Sequence, residues 1–270
     1  MSAVTGVAEA ASDAAVITKR NLIKIKRVPD LLVFTTLSPI MFVLLFAYVF
    51  GGSIDVPGVG YREFLIAGIF VQTVVFGSTF SGYLMAEDLQ KGIIDRFRSL
   101  PMASSSVLFG RTISDVGTNI ISLVVMALTG LIVGWRIHTS ALEALGGFVL
   151  LLLFAFAISW IMTCVGLAVR TPEVVNNASF MVIFPLTFVA NTFVPLDTLP
   201  GPLRTFAEWN PVSAVTQASR NLFGNTHPDL PIPDAWPLQH PQLYTLIWAV
   251  AVVAVFAPLA SRQYQRAASR

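Results

Sequence analysis

Glu87-Asp88-Leu89-Gln90-Lys91-Gly92-Ile93-Ile94-Asp95-Arg96-Phe97-Arg98-Ser99-Leu100-Pro101 is a charged stretch set between two long apolar runs, Phe64–Met85 and Ile113–Gly134. Wound as a helix, it places Leu89, Ile93, Phe97 and Leu100 at steps of four, four and three, a single apolar stripe. Asp88, Lys91, Asp95 and Arg98 fall on the other side. Such a helix lies along a surface or docks against a partner, because burying its charged side in hydrocarbon is too costly to let it span. The runs beside it are long enough to cross ~30 Å of hydrocarbon at about 1.5 Å per residue.

Composition agrees with the runs. Of 270 residues, 55% are hydrophobic and 12% charged, with a mean hydropathy of +0.73, whereas a soluble domain carries about 25% charged residues. The fold class expected is an all-α polytopic membrane protein with six transmembrane helices, at Leu32–Phe50, Phe64–Met85, Ile113–Gly134, Leu145–Val169, Val174–Val194 and Gln242–Ala260. The first run is too long for a signal-peptide core and no small-x-small cleavage site follows it, so it is expected to be retained. Residues 1–16, rich in Ala and Ser, read as a mobile N-terminus, and 17–31 as a basic, amphipathic interfacial segment. Residues 32–260 form the transmembrane domain, and 261–270 a basic tail. The lone Cys164 excludes an internal disulfide and reads as a small apolar core residue.

The basic residues orient the chain. Lys19, Arg20, Lys24, Lys26, Arg27, Lys91, Arg96, Arg98, Arg111, Arg170, Arg262, Arg266 and Arg270 fall on one side of the six spans. Only Arg62, Arg136, Arg204 and Arg220 of the 17 basic residues fall on the other. Both termini and the 87–101 stretch are therefore expected in the cytoplasm.

The loop 195–241 on the opposite side holds nine of the chain's 16 prolines. Within it, Asn210-Pro211 reads as an N-cap followed by proline at the first helical position, and Gly224 as a stop. Val212, Val215, Ser219 and Leu222 give the helix between them an apolar stripe, predicting a short element that re-enters the outer leaflet or caps the bundle. His138, His227 and His240 lack metal-ligand spacing and read as solvated loop residues. No internal repeat is apparent, which argues against repeat-built carriers.

Chemistry-bearing groups are sparse. The span interiors hold no Asp, Glu, Lys, Arg or His; Asp115, at the start of the third span, stands four residues after Arg111 and is expected to pair with it. Ion-coupled transport and membrane enzymology therefore lack their usual groups. No lysine follows a glycine, so no phosphate loop is present, and any ATP would be bound by another polypeptide. The spans carry mild polarity instead: Gln72, Thr73, Ser78, Thr79, Ser81, Asn119, Ser122, Asn176, Asn177, Thr187, Asn191 and Thr192. Amides and hydroxyls of this kind join membrane helices, and together with phenylalanines they also suit a large amphipathic guest. Phe42, Phe46, Gln72, Thr73, Phe76, Asn119, Phe184, Phe188 and Asn191 are the substrate-path candidates. Pro185 is expected to kink the fifth span, and Gly130-x-x-x-Gly134 permits close helix approach.

Lys91 to Pro101 resembles the cytoplasmic segment of ABC-2-type exporter permeases. Arg170-Thr171-Pro172-Glu173, Phe184 to Val194, Thr198-Leu199-Pro200-Gly201 and Trp209-Asn210-Pro211-Val212-Ser213 are similar to the daunorubicin-resistance subgroup. The likeness covers residues 22–260. It implies a non-catalytic subunit that dimerises and pairs with two copies of a separate ATPase carrying ATP and Mg. It further implies a bacterial inner membrane and a coupling helix after the second span, in which Glu87, Asp88, Lys91, Asp95, Arg96 and Arg98 supply ion pairs to the ATPase, while Leu89, Ile93, Phe97 and Leu100 pack into its groove or onto the membrane face. The N-terminal segment would be a connecting helix, and 198–224 would form outer re-entrant helices. The cargo implied is an amphipathic drug-like or lipid-like molecule. A glycolipid, glycan or cell-wall lipid precursor is the nearest alternative, and a stand-alone channel or ion-coupled carrier is the alternative of another class.

Overall fold

The computed structural model describes residues 16–18, 23, 37, 39–50, 56, 58–94, 104–169, 171–193, 195–228 and 233–267. Almost all of the expected mobile N-terminus, most of segment 17–31, the start of the first span and residues 95–103 lie outside this set. Among the described residues every regular element is helical: α1 (Pro39–Val49, whose end passes into a π-helix at Leu45–Phe50), α2 (Tyr61–Gln90), α3 (Ser104–Val133), α4 (Ala141–Ala168), α5 (Pro172–Phe188), α6 (Gly201–Trp209), α7 (Pro211–Phe223), α8 (Trp236–Gln239) and α9 (Pro241–Ala267). A single 3₁₀ turn, Leu196–Thr198, precedes α6.

Four of these helices, α2, α3, α4 and α9, are long and apolar enough to cross a membrane. α5 differs from expectation. It stops at Phe188 after 17 residues, because Pro185 lies in its last turn and the chain then folds into a turn at Asn191–Phe193. Pro185 thus helps to end the helix rather than kink its middle; its carbonyl still accepts from Val189 N–H at 2.8 Å. α3 begins at Ser104, well before the expected Ile113, because the helix continues through the polar residues at its start.

α2 is the central element. In its most apolar window 78% of residues are buried, against 22% in α9, which leaves most of α9 facing outward. α2 and α4 approach backbone to backbone where Gly82 and Gly166 meet: a Cβ on Gly166 would lie 2.3 Å from the Gly82 carbonyl oxygen. α2 and α3 share a regular antiparallel seam, with Gly130 against Ile66, Asn119 against Gly77 and Asp115 against Ser81. Gly134 plays no part in that seam. It ends α3 at φ +109°, a backbone that side-chain-bearing residues rarely adopt.

Local chemistry explains the helix ends. Ser140 and Glu143 form a reciprocal capping box at the start of α4. Asn210 caps α7, its Oδ1 accepting from Val212 N–H at 2.9 Å, and Gly224 closes it in the left-handed conformation. Val212, Val215 and Ser219 are buried as their spacing implies. A compact aromatic group, Phe70, Trp135, Phe148 and Phe223, fills the space between α2, α4 and α7, with ring centroids 5.0–5.8 Å apart.

Candidate functional site

Two regions carry features beyond packing. The first is the Lys91 end of the bundle. Lys91 donates to Glu87 Oε1 at 2.6 Å, a pair one helical turn apart that raises the lysine pKa through that hydrogen bond. Both are placed where a partner can reach them, with Lys91 the more exposed. Gly92 then takes φ +64° and receives the end of α2, its N–H bonding Leu89 O at 3.1 Å. The expected continuous stripe from Leu89 to Leu100 is therefore broken at Gly92. Leu89 packs inward on a cluster containing Ile17, Met85, Ile94, Val107, Leu108 and Trp160. Ile93 is half-buried. Asp95, Arg96, Phe97, Arg98 and Leu100 lie outside the described residues.

Asp88 is also misplaced by the sequence reading. It is buried rather than presented to a partner, and it accepts a hydrogen bond from Arg111 on α3. The expected Arg111–Asp115 pair is not formed. Asp115 accepts from Ser81 on α2, and Asn119 donates to the Asp115 carbonyl at 3.0 Å. The physical reason is the α2–α3 seam, which brings cross-helix partners closer than the local one. Thr18 donates to Gly110 O at 3.0 Å, so the short N-terminal helical piece is tied to the same corner.

The second region is an aromatic ladder. Phe42 stacks on Phe46 (6.0 Å), Phe46 on Phe193 (4.7 Å), and Phe193 meets Phe188 (4.8 Å). Phe188 stacks on Phe184 (4.1 Å), Phe184 on Phe180 (5.0 Å), and Phe180 meets Phe76 (6.3 Å). Rings on α1, α2, α5 and the turn after α5 thus form one continuous path. The α5 steps follow from its spacing: Phe180, Phe184 and Phe188 recur every four residues on one helix face. Phe180 and Phe184 remain exposed, so the path has an open side. Such a surface can hold a flat apolar guest by stacking, each ring contact contributing about 0.5–1.5 kcal/mol beyond area burial.

All five phenylalanine candidates, Phe42, Phe46, Phe76, Phe184 and Phe188, come together in this ladder. The polar candidates do different work. Gln72 and Thr73 are buried in α2, with Thr73 bonding back to Ile69 O at 2.8 Å. Asn119 sits in the α2–α3 seam. Asn191 joins α5 to α7 through its N–H to Ser213 Oγ at 3.2 Å. Phe180 and Phe193 were missed, although four-residue spacing from Phe184 signals the first.

Arg220 was also missed as an interior residue. It is 1% exposed and is held by main-chain acceptors: Nε donates to Phe64 O at 3.1 Å, and Nη2 to Asn191 O at 2.6 Å and Thr192 O at 3.3 Å. Its guanidinium lies over the Phe64 ring, 3.5 Å from the centroid. Its position eight residues after Val212, on the same helix face, was the available signal. His138 likewise is paired, with Nε2 2.9 Å from Glu63 Oε1, rather than merely solvated. Among the described residues no group of three or more His, Cys, Asp or Glu could hold a metal.

The comparisons fit a permease. The chain is 33% identical over 246 residues to the daunorubicin resistance ABC transporter permease protein DrrB1 of Streptomyces coeruleorubidus, covering 91% of this chain and 83% of that protein. It is 27% identical over 207 residues to the doxorubicin resistance ABC transporter permease protein DrrB of Mycobacterium tuberculosis, covering 77% of this chain and 70% of that protein. Residues 13–223 match the family described as ABC-2 type transporter. With apolar helices fit to cross a bilayer several times and a family match over most of its length, this chain is a multi-pass membrane protein that belongs to the ABC-2 type transporter family.

Proposed function

We propose that this chain is the permease of an ATP-driven exporter that moves amphipathic, ring-bearing molecules out of a bacterial cell. Two copies cross the inner membrane, six spans each, with both termini in the cytoplasm. Two copies of a separate ATPase bind ATP and Mg. Glu87, Lys91 and Ile93, with Asp95, Arg96, Phe97, Arg98 and Leu100, dock against that ATPase, while Asp88 and Leu89 serve the bundle. Closure of the ATPases moves the docked segments, and the guest leaves past α6 and α7 into the outer leaflet.

The observation that carries the cargo reading is the phenylalanine ladder with its open side at Phe180 and Phe184. The names of the relatives add support, since both are drug-resistance permeases. The test is reconstitution of the chain with the ATPase that co-purifies with it, using daunorubicin as probe. ATP-dependent daunorubicin movement that falls several-fold in Phe188→Ala is expected. ATP-dependent movement of a glycolipid with daunorubicin left behind would replace the cargo class. Transport by the chain alone, without an ATPase, would overturn the reading.

A further inference from the structure

Resting on that reading, we propose that Arg111 is a positioning residue for coupling. It holds the end of α2 through Asp88 in the present state and is received by Asp115, one turn along its own helix, when that end is drawn away.

The seam sets up the exchange. Ile66 against Gly130, Gly77 against Asn119 and Ser81 against Asp115 keep one antiparallel register: each step along α2 is matched by an equal step back along α3. In that register the level of Arg111 is that of Met85. Arg111 instead reaches on past it to Asp88, the last acidic residue before Gly92 turns the chain. The guanidinium therefore grips the end of α2 from beyond its own rung. Side chains of a helix lean toward its N-terminus, so Arg111 leans toward Asp88 and Asp115 leans toward Arg111.

Three ionisable side chains are buried together here, all at 8% exposure or less: two carboxylates and one guanidinium. One cation serves two possible acceptors. Asp88 holds it across the seam, while Asp115, at the helical spacing that brings side chains together, is occupied by the Ser81 hydroxyl. Arg111 Nε has no acceptor among the described residues, so the guanidinium keeps a donor free for a second carboxylate. The pair that sequence spacing suggested and the pair found are two partners of one residue. Moving the end of α2 would break the first, and Asp115 stops the buried cation from being left unpaired. That lowers the cost of movement where the coupling segment begins, since a stranded buried charge is strongly unfavourable. Thr18, bonded to Gly110 O, fixes the neighbouring turn of α3 and so keeps Arg111 as the stationary member.

The test has two arms. The first uses the isolated chain in mixed micelles and needs no ATPase. Folding constants are measured for Asp88→Asn, Asp115→Asn and the double variant by SDS titration. Exchange predicts a double variant at least about tenfold worse than the two single effects combined, because each carboxylate covers for loss of the other. Additive effects would overturn the proposal.

The second arm uses the ATPase complex in proteoliposomes and reads daunorubicin moved per ATP hydrolysed. Asp115→Asn keeps an acceptor for Ser81 and leaves the Arg111–Asp88 pair intact, so a purely structural role leaves the ratio unchanged. Exchange predicts a loss of about fivefold or more, with Asp115→Glu restoring most of it. A ratio within twofold of wild type in Asp115→Asn would overturn the proposal. Failure of the wild-type complex to transport would sink the exporter reading, and the first arm would still decide whether Arg111 has two partners.

Discussion

Gly146 and Gly166 lie on the same helix, and replacing each by alanine should have opposite effects. Within α4 either change favours the helix by about 1 kcal/mol, because glycine loses more backbone freedom on folding. At Gly146 the added methyl would meet Leu222 Cδ2 at 4.0 Å, an ordinary contact. At Gly166 it would lie 2.3 Å from the Gly82 carbonyl oxygen and 2.9 Å from Gly82 Cα, both main-chain atoms of α2. No side-chain rotation relieves that clash. α2 and α4 must part by about 1 Å, losing dispersion contacts along the crossing.

Overpacking of this kind costs about 1–3 kcal/mol, and with a rigid main-chain neighbour the upper part of the range applies. After the helix-propensity gain, Gly166→Ala should lose about 1–2 kcal/mol while Gly146→Ala gains up to about 1 kcal/mol. Unfolding free energies from SDS titration in mixed micelles measure both. Equal shifts of the same sign in the two variants would refute the claim that the helices touch backbone to backbone at this crossing.

Other expectations concern single contacts. Asn210→Ala should lose the α7 cap, costing about 0.5–2 kcal/mol, and speed hydrogen exchange at the amides of residues 212–214. Asn210→Asp should keep the cap acceptor but lose the donors to Leu186 O and Val189 O, so exchange at α7 stays slow while α7 loosens from α5. Arg220→Met should cost about 1–3 kcal/mol for the carbonyls left without donors. Arg220→Lys should be worse than Met, because a strongly hydrated point charge is buried without the planar fork; a lysine variant as stable as wild type would overturn this. Lys91→Gln should leave chain stability almost unchanged in the same SDS titration, since Lys91 is exposed and its pairing with Glu87 is weakened by solvent.

What could be read from the sequence was what neighbours along the chain decide. Asn210-Pro211, Gly224 and the Ser140–Glu143 start of α4 are local chemistry, so the limits of α7 were readable before the structure. The four-residue spacing of phenylalanines on α5 was equally local. The partner of Arg111 was not. The local carboxylate at Asp115 and the distant one at Asp88 are chemically alike, and only the antiparallel seam at Ser81 and Gly77 chooses between them. The stripe through Leu89 and Ile93 failed for a related reason: periodicity assumes one helix, whereas Gly92 adopts a backbone that ends it. Arg220 was counted only as a basic residue on the outer side, because its acceptors are main-chain oxygens from α2 and the turn after α5, which no side-chain pattern announces.

The shortness of α5 has a consequence for the lipid around it. Seventeen residues make a rod of about 25 Å, less than the ~30 Å of a typical hydrocarbon layer. In the six-span arrangement proposed above, the missing length would fall to the Asn191–Phe193 turn and the buried guanidinium of Arg220. With α5 set as a span, the bilayer beside it is expected to be pinched thin on the side of α7. Export rate should then depend on acyl-chain length, fastest in lipids whose thickness matches this short helix and slower as the chains lengthen.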